Sequence, residues 1–152
     1  MGAAQDIRAR FGRLVPAQQL AAVGALVILG SLVLPWYGLK LIAQLSQTGL
    51  DSFGWGHAAL VLTAGSVLFL LSVSARGYRL PRPLAEGPLL ILAGAWCAIL
   101  VVYLILDRPN NFDPLKVTLR FGIFVPFIGA AAMVLGGLGV SRIHRSERER
   151  GA

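Results

Sequence analysis

Charge is scarce along most of this chain. Asp, Glu, Lys and Arg supply 14% of its 152 residues, where an ordinary soluble domain carries about 25%. Four long stretches, 20–39, 57–75, 88–106 and 121–140, hold none of the four. So little polar sequence is left to cover four apolar helices that the composition argues against a water-soluble fold. Cysteine is scarcer still. Cys97 stands alone inside the third stretch, which excludes an intramolecular disulfide, a Cys-based metal site and the C-x-x-C pair of thiol oxidoreductases. It reads as a small apolar filler.

Ionisable groups are also missing where several kinds of chemistry would need them. Transporters and proton relays keep carboxylates, Lys or His inside the membrane, and small drug–proton antiporters need an embedded Glu. The four stretches offer only His57, at the edge of the second, which reads as a solvated polar end. The hydroxyls of Ser31, Thr63, Ser66 and Ser72 have no His or carboxylate at a helical offset to activate them. His57 and His144 fall on opposite sides of a membrane and share no metal. Asp51, Asp107 and Asp113 near Lys116 and Arg120 read as loop ion pairs. The residues point to no catalytic site, no cofactor and no metal.

What is present is length. A helix rises about 1.5 Å per residue, so roughly 20 apolar residues cross the hydrocarbon core of a bilayer, about 30 Å thick. Four such runs predict an all-α membrane protein, a four-transmembrane-helix bundle forming a single domain over 1–152. Residues 1–19 then form a juxtamembrane segment and 141–152 a tail. The net charge of +7 would suggest nucleic acid in a soluble chain, but its distribution argues for lipid. Arg8, Arg10, Arg13, Arg76, Arg79, Arg82, Arg142, Arg145, Arg148 and Arg150 flank one side of the four runs, and only Lys40, Arg108, Lys116 and Arg120 flank the other. Basic residues near span ends stay cytoplasmic, which predicts both termini inside a bacterial plasma membrane. Arg8, Arg10, Arg13, Arg76, Arg79 and Arg82 are candidate contacts for anionic lipid headgroups.

The segments between the runs are less uniform. Residues 5–15 place Ile7, Phe11 and Leu14 at i, i+4 and i+7, predicting a short amphipathic helix in the headgroup layer; a mobile basic tail is the alternative. The first run is too long for a cleaved signal, and Leu34-Pro-Trp-Tyr37 offers no small-x-small cleavage site, so it reads as a retained anchor. Pro35 would bend its last turn, with Trp36 and Tyr37 in the aromatic belt and Trp55 as a further anchor. Residues 40–56 favour a helical extension or interfacial helix, with strand and coil as alternatives. Asp113-Pro114 reads as a helix start, whereas Leu115, Val117, Leu119 and Phe121 alternate as a strand does. If both segments are extended they would pair into a small outer sheet. Glu86 and Pro88 mark the third helix start, and Pro126 implies a kink or a late start in the fourth.

Helices in lipid gain little from hydrophobicity on meeting, so small residues set their approach. Gly94 with Ala98, and Ala132 with Gly136, are small-xxx-small pairs, serving internal packing or an oligomer contact. Trp96, at mid-span, is expected to pack with its indole N–H on Ser66 or a backbone carbonyl.

Leu34-Pro-Trp-Tyr37 closing the first run, Ser52-Phe-Gly-Trp-Gly56 leading into the second, Arg120-Phe-Gly122 before the fourth and Gly136-Gly137 near its end make the chain resemble small four-span membrane proteins of actinobacteria. The resemblance implies a fold and a membrane address, without an activity or a site. The function expected is a non-enzymatic accessory or scaffold subunit that contacts another membrane protein, or itself, through small-residue faces or outer loops. The alternative is a small transporter or permease component for an apolar or lipid-like substrate.

Overall fold

The computed structural model describes residues 11–12, 14–39, 46–51, 54–77, 86–106 and 117–150. Four helices dominate them: α1 (Pro16–Ser31), α2 (Trp55–Ser74), α3 (Glu86–Leu106) and α4 (Val125–Arg150). Three strands, β1 (Pro35–Leu39), β2 (Ser46–Thr48) and β3 (Val117–Leu119), form a small sheet at one end, and a 3-10 turn over Phe121–Phe124 leads from β3 into α4. Three helical segments, Trp55–Ser74, Glu86–Leu106 and Phe121–Ser146, are long and apolar enough to cross a membrane by length and composition. At 16 residues, α1 falls short of them.

The first apolar stretch is therefore not one helix over 20–39. It starts earlier, with Pro16 in the first turn, where a missing N–H costs nothing. It stops at Ser31 because Pro35 lacks an N–H and its ring disfavours helical backbone at Leu34. Beyond the proline, Trp36 and Tyr37 favour extended backbone, and β1 becomes the central strand in the order β2-β1-β3. Both pairings are antiparallel, with Tyr37 opposite Gln47 on one side and Leu119 on the other. Parts of both connecting segments are extended, but they do not pair with each other as expected: β1, from the end of the first apolar stretch, lies between them and pairs with each. The helical reading of 40–56 does not hold at 46–48; residues 40–45 and the Asp113-Pro114 start lie outside the described residues.

The other boundaries move less, except at the end of α4. Pro126 is the second residue of α4, directly after Val125, so the fourth helix starts late and the proline falls in its first turn. Its far end runs to Arg150, past the tail expected from 141. No Gly or Pro interrupts 140–150, Arg and Glu are good helix formers, and cations suit a helix C-terminus. Of the expected amphipathic helix, only 11–12, 14 and 15 are described. Leu14 is buried, Phe11 packs on the core, and the Gln19 side-chain amide donates to both of their carbonyls, at 3.2 and 3.0 Å respectively. Those two apolar side chains face protein.

The helices pack in a ring, α4 and α2 each touching both α1 and α3. One side of α4 presents Gly129 and Gly136 to α1; a Cβ on Gly129 would lie 2.5 Å from the Gly24 carbonyl oxygen, and one on Gly136 2.5 Å from that of Ala17. The other side presents Ala130, Val134 and Gly137 to α3, where a Cβ on Gly94 would meet the Ala130 carbonyl at 2.8 Å and one on Gly137 that of Gly87 at 2.7 Å. In contrast, α2 buries Leu60, Ala64, Val67 and Leu71.

Candidate functional site

The end of α1 poses a problem for a chain in lipid. Hydrocarbon offers no water to exposed carbonyls, so a helix that stops early must satisfy them within the protein. Here each carbonyl from Ile28 to Leu32 has a donor. The Ser31 hydroxyl donates to Ile28 at 2.6 Å. Backbone N–H groups of Leu32, Val33 and Leu34 donate to Leu29, Gly30 and Ser31, and that of Leu50 reaches across to Leu32 at 3.2 Å. The Trp36 indole N–H adds a second bond to the Ser31 carbonyl at 2.7 Å.

Three aromatic residues in this region each close a different helix terminus. Trp36 is fully buried and closes α1. Tyr37, 3% exposed, sends its hydroxyl to the Leu104 carbonyl at 2.9 Å, in the last turn of α3. His57, also 3% exposed, accepts the Gly54 backbone N–H on Nδ1 at 3.3 Å and so caps the start of α2. The His57 ring lies 5.1 Å from that of Trp36, tilted by 44°. On the fourth side, the Arg120 N–H donates to the Trp36 carbonyl at 2.9 Å, just before α4. The sheet is thereby fastened to the helices as a plug.

These positions correct three expectations. Trp36 and Tyr37 are core residues, not an aromatic belt, because β1 turns them inward. His57 is buried, not solvated, because its ring nitrogen serves the helix it begins. Trp55, the further anchor expected from sequence, is 61% exposed, and its indole N–H donates to the Tyr103 hydroxyl at 3.3 Å. Trp96 does not pack inside; it is 47% exposed on the outer side of α3, and Ser66 is exposed on α2.

At the opposite end a carboxylate ties three helices. Glu86 begins α3, accepts the Gln18 side-chain amide from α1 at 2.6 Å on one oxygen, and accepts the Ser74 hydroxyl from the end of α2 on the other. Its position in the first turn also suits the helix dipole. Beside it Gly87 packs closely on Ser141 of α4, whose hydroxyl donates to the Gly137 carbonyl at 2.9 Å.

The small residues singled out from sequence divide between the inside and the margin. Gly94 and Gly136 are buried in helix–helix seams, while Ala98 and Ala132 are half-buried. Arg76 is exposed just past α2; Arg8, Arg10, Arg13, Arg79 and Arg82 lie outside the described residues. Asp51 accepts the Thr48 backbone N–H and hydroxyl at 2.9 and 2.8 Å, closing a turn. Among the described residues, no three His, Cys, Asp or Glu side chains gather to hold a metal ion. No family model, curated protein or solved structure matches the chain. Both polar clusters are built for holding helix ends.

Proposed function

We propose that the chain is a four-span integral protein of the bacterial plasma membrane, both termini inside, acting as a non-enzymatic accessory or scaffold subunit. Its partner-facing surface is the outer sheet. Helix lengths support the spans: the 20 residues of α2, at about 1.5 Å per step, make about 29 Å, and α3 spans about 30 Å. The first span is α1 completed by the extended start of β1. Exposed Arg76, Arg142 and Arg145 lie at the end away from the sheet, which agrees with the positive-inside distribution. Arg8, Arg10, Arg13, Arg79 and Arg82 would join Arg76 on anionic headgroups.

One observation carries the accessory reading. Gly94 and Gly136 are consumed in internal seams, so the bundle closes on itself, and the sheet is left as a surface whose central strand is bonded to the ends of α1 and α3 and to the entry of α4. The partner surface thus shifts from small-residue faces to the outer segments. A transporter for an apolar or lipid-like substrate is the second reading, favoured by the break in the first apolar stretch, since interrupted helices form substrate sites in transporters. The donors already on carbonyls 28–32 weigh against it.

Purification from native membranes in mild detergent tests the two readings. A stoichiometric partner, lost when 40–45 is replaced by a Gly-Ser linker, supports the accessory role. A chain that runs alone and moves a lipid probe after reconstitution supports transport, and a monomer with neither behaviour refutes both. For orientation, in a Cys97→Ala background, Ser46→Cys should react with an impermeant maleimide from outside and Ser146→Cys should not. The reverse pattern overturns the topology.

A further inference from the structure

On α4 the outward side changes character within one turn. Ile128, Ala131, Leu135 and Leu138 are exposed along one side of the helix, and Arg142 and Arg145 are exposed beyond them. With about 100° of rotation and 1.5 Å of rise per residue, Arg142 stands about 40° round and 6 Å beyond Leu138, and Arg145 about 20° round and 10 Å beyond. Because 141–150 continues as helix, both arginines are held at a set height above the last exposed leucine. The same height is fixed on neighbouring helices. Gly87 at the start of α3 packs on Ser141, and Ser74 at the end of α2 bonds Glu86, two residues before exposed Arg76.

The structure assigns this helical exit as a docking surface for anionic phospholipid, with Arg142 and Arg145 on the phosphate and Arg76 at the same level. Lipid is the occupant because the arginines continue the stripe that faces hydrocarbon, starting one turn past its last apolar residue, where a headgroup begins. An acidic protein would approach from further out, where exposed Glu149 stands one turn beyond Arg145 on the same side and would repel it. Glu149 also offsets part of the charge of Arg145, so Arg142 contributes more. The assignment rests on the membrane reading proposed above, but neither on the accessory role nor on which side faces the cytoplasm.

The full chain in nanodiscs of equal phosphatidylglycerol and phosphatidylcholine provides the test, with the retained lipids counted by native mass spectrometry. Wild type should retain phosphatidylglycerol over phosphatidylcholine, with the preference weakening as salt is raised. Each arginine removed should lower it by about five-fold, with Arg142→Gln costing more than Arg145→Gln. Lys at both positions should keep most of it. A double Gln variant that retains the wild-type preference overturns the assignment, as does a double Lys variant that loses it as fully as double Gln. Incorporation is read separately: an embedded chain with no preference overturns the docking surface alone, and a chain that stays out of the disc overturns the membrane reading with it.

Discussion

Helices α4 and α2 share the same two neighbours and are held to them in opposite ways. Along α4, glycines bring backbone against backbone: Gly24 and Gly129 each occupy space where the other's side chain would be. Along α2, Leu60, Val67 and Leu71 stand between the helices, and its one buried glycine, Gly56, meets the flexible end of Leu104. The polar bonds that fasten α2 to a neighbour lie at its two ends, from the Trp55 indole to the Tyr103 hydroxyl and from the Ser74 hydroxyl to Glu86. In lipid, association draws on close packing and polar bonds more than on hydrophobicity. This fold assigns close packing to α4 and polar bonds to α2, so substitutions should affect the two helices differently.

The largest effect should come from the α4 seam. Gly129→Ala places a methyl 2.5 Å from the Gly24 carbonyl oxygen and 2.7 Å from Ile28 Cγ1, forcing α1 and α4 apart. We expect a loss of about 3 kcal/mol, measured by thermal unfolding in detergent. On α2, a methyl added at Gly65 would point into open space, with nothing within 4 Å. Gly65→Ala should therefore be neutral or gain up to about 1 kcal/mol from helix propensity. Equal losses at the two positions would erase the distinction between the helices.

Next in size is the clamp at the end of α2. Glu86→Ala strips the acceptor from Gln18 and Ser74 at once and should cost about 2 kcal/mol. A loosened α2 should also raise the reactivity of buried Cys97 toward a membrane-permeant maleimide, whereas Gly129→Ala tests a seam without polar side chains. Glu86→Gln keeps one acceptor oxygen and should lose less. If Cys97 labelling is unchanged in Glu86→Ala, the clamp does not hold α2 in place.

Legibility in the sequence follows the same division. Apolar run length locates α2 and α3 within two residues of their observed starts, because a span needs about 20 apolar residues whatever its neighbours do. Small-residue spacing picks out Gly94 and Gly136, both in seams. The end of α1 misleads because Trp36-Tyr-Gly-Leu39 carries no charge and prolongs the uncharged run, so the absence of charge does not separate strand from helix there; Pro35 is the local signal. His57 misleads for a different reason. Whether a polar side chain at a helix start faces water or its own backbone depends on what covers it, and the cover, Trp36, comes from a strand 21 positions earlier. The polar bonds of Glu86 depend likewise on a residue 68 positions away. Local pattern encodes the spans, and long-range partners determine how their ends are held.

The smaller effects lie at the sheet end. Tyr37→Phe removes the donor to Leu104 and should cost about 1 kcal/mol, with faster amide exchange in the last turn of α3 and little change along α4. The least is expected from Asp51. The Thr48 backbone N–H and then its hydroxyl hold this carboxylate below the ordinary aspartate value of 3.8. A depressed folded value means that the turn's contribution is complete above 3.8 and fades as pH falls through the lower value. Protection of the Thr48 amide should therefore stay constant from neutral pH down to the ordinary aspartate range and be lost below it, and Asp51→Asn should flatten that dependence. Asp51 is fully exposed, so solvent screens the effect and global unfolding should barely register it. Protection that instead fades near the ordinary pKa of histidine would place the proton elsewhere and detach this turn from Asp51.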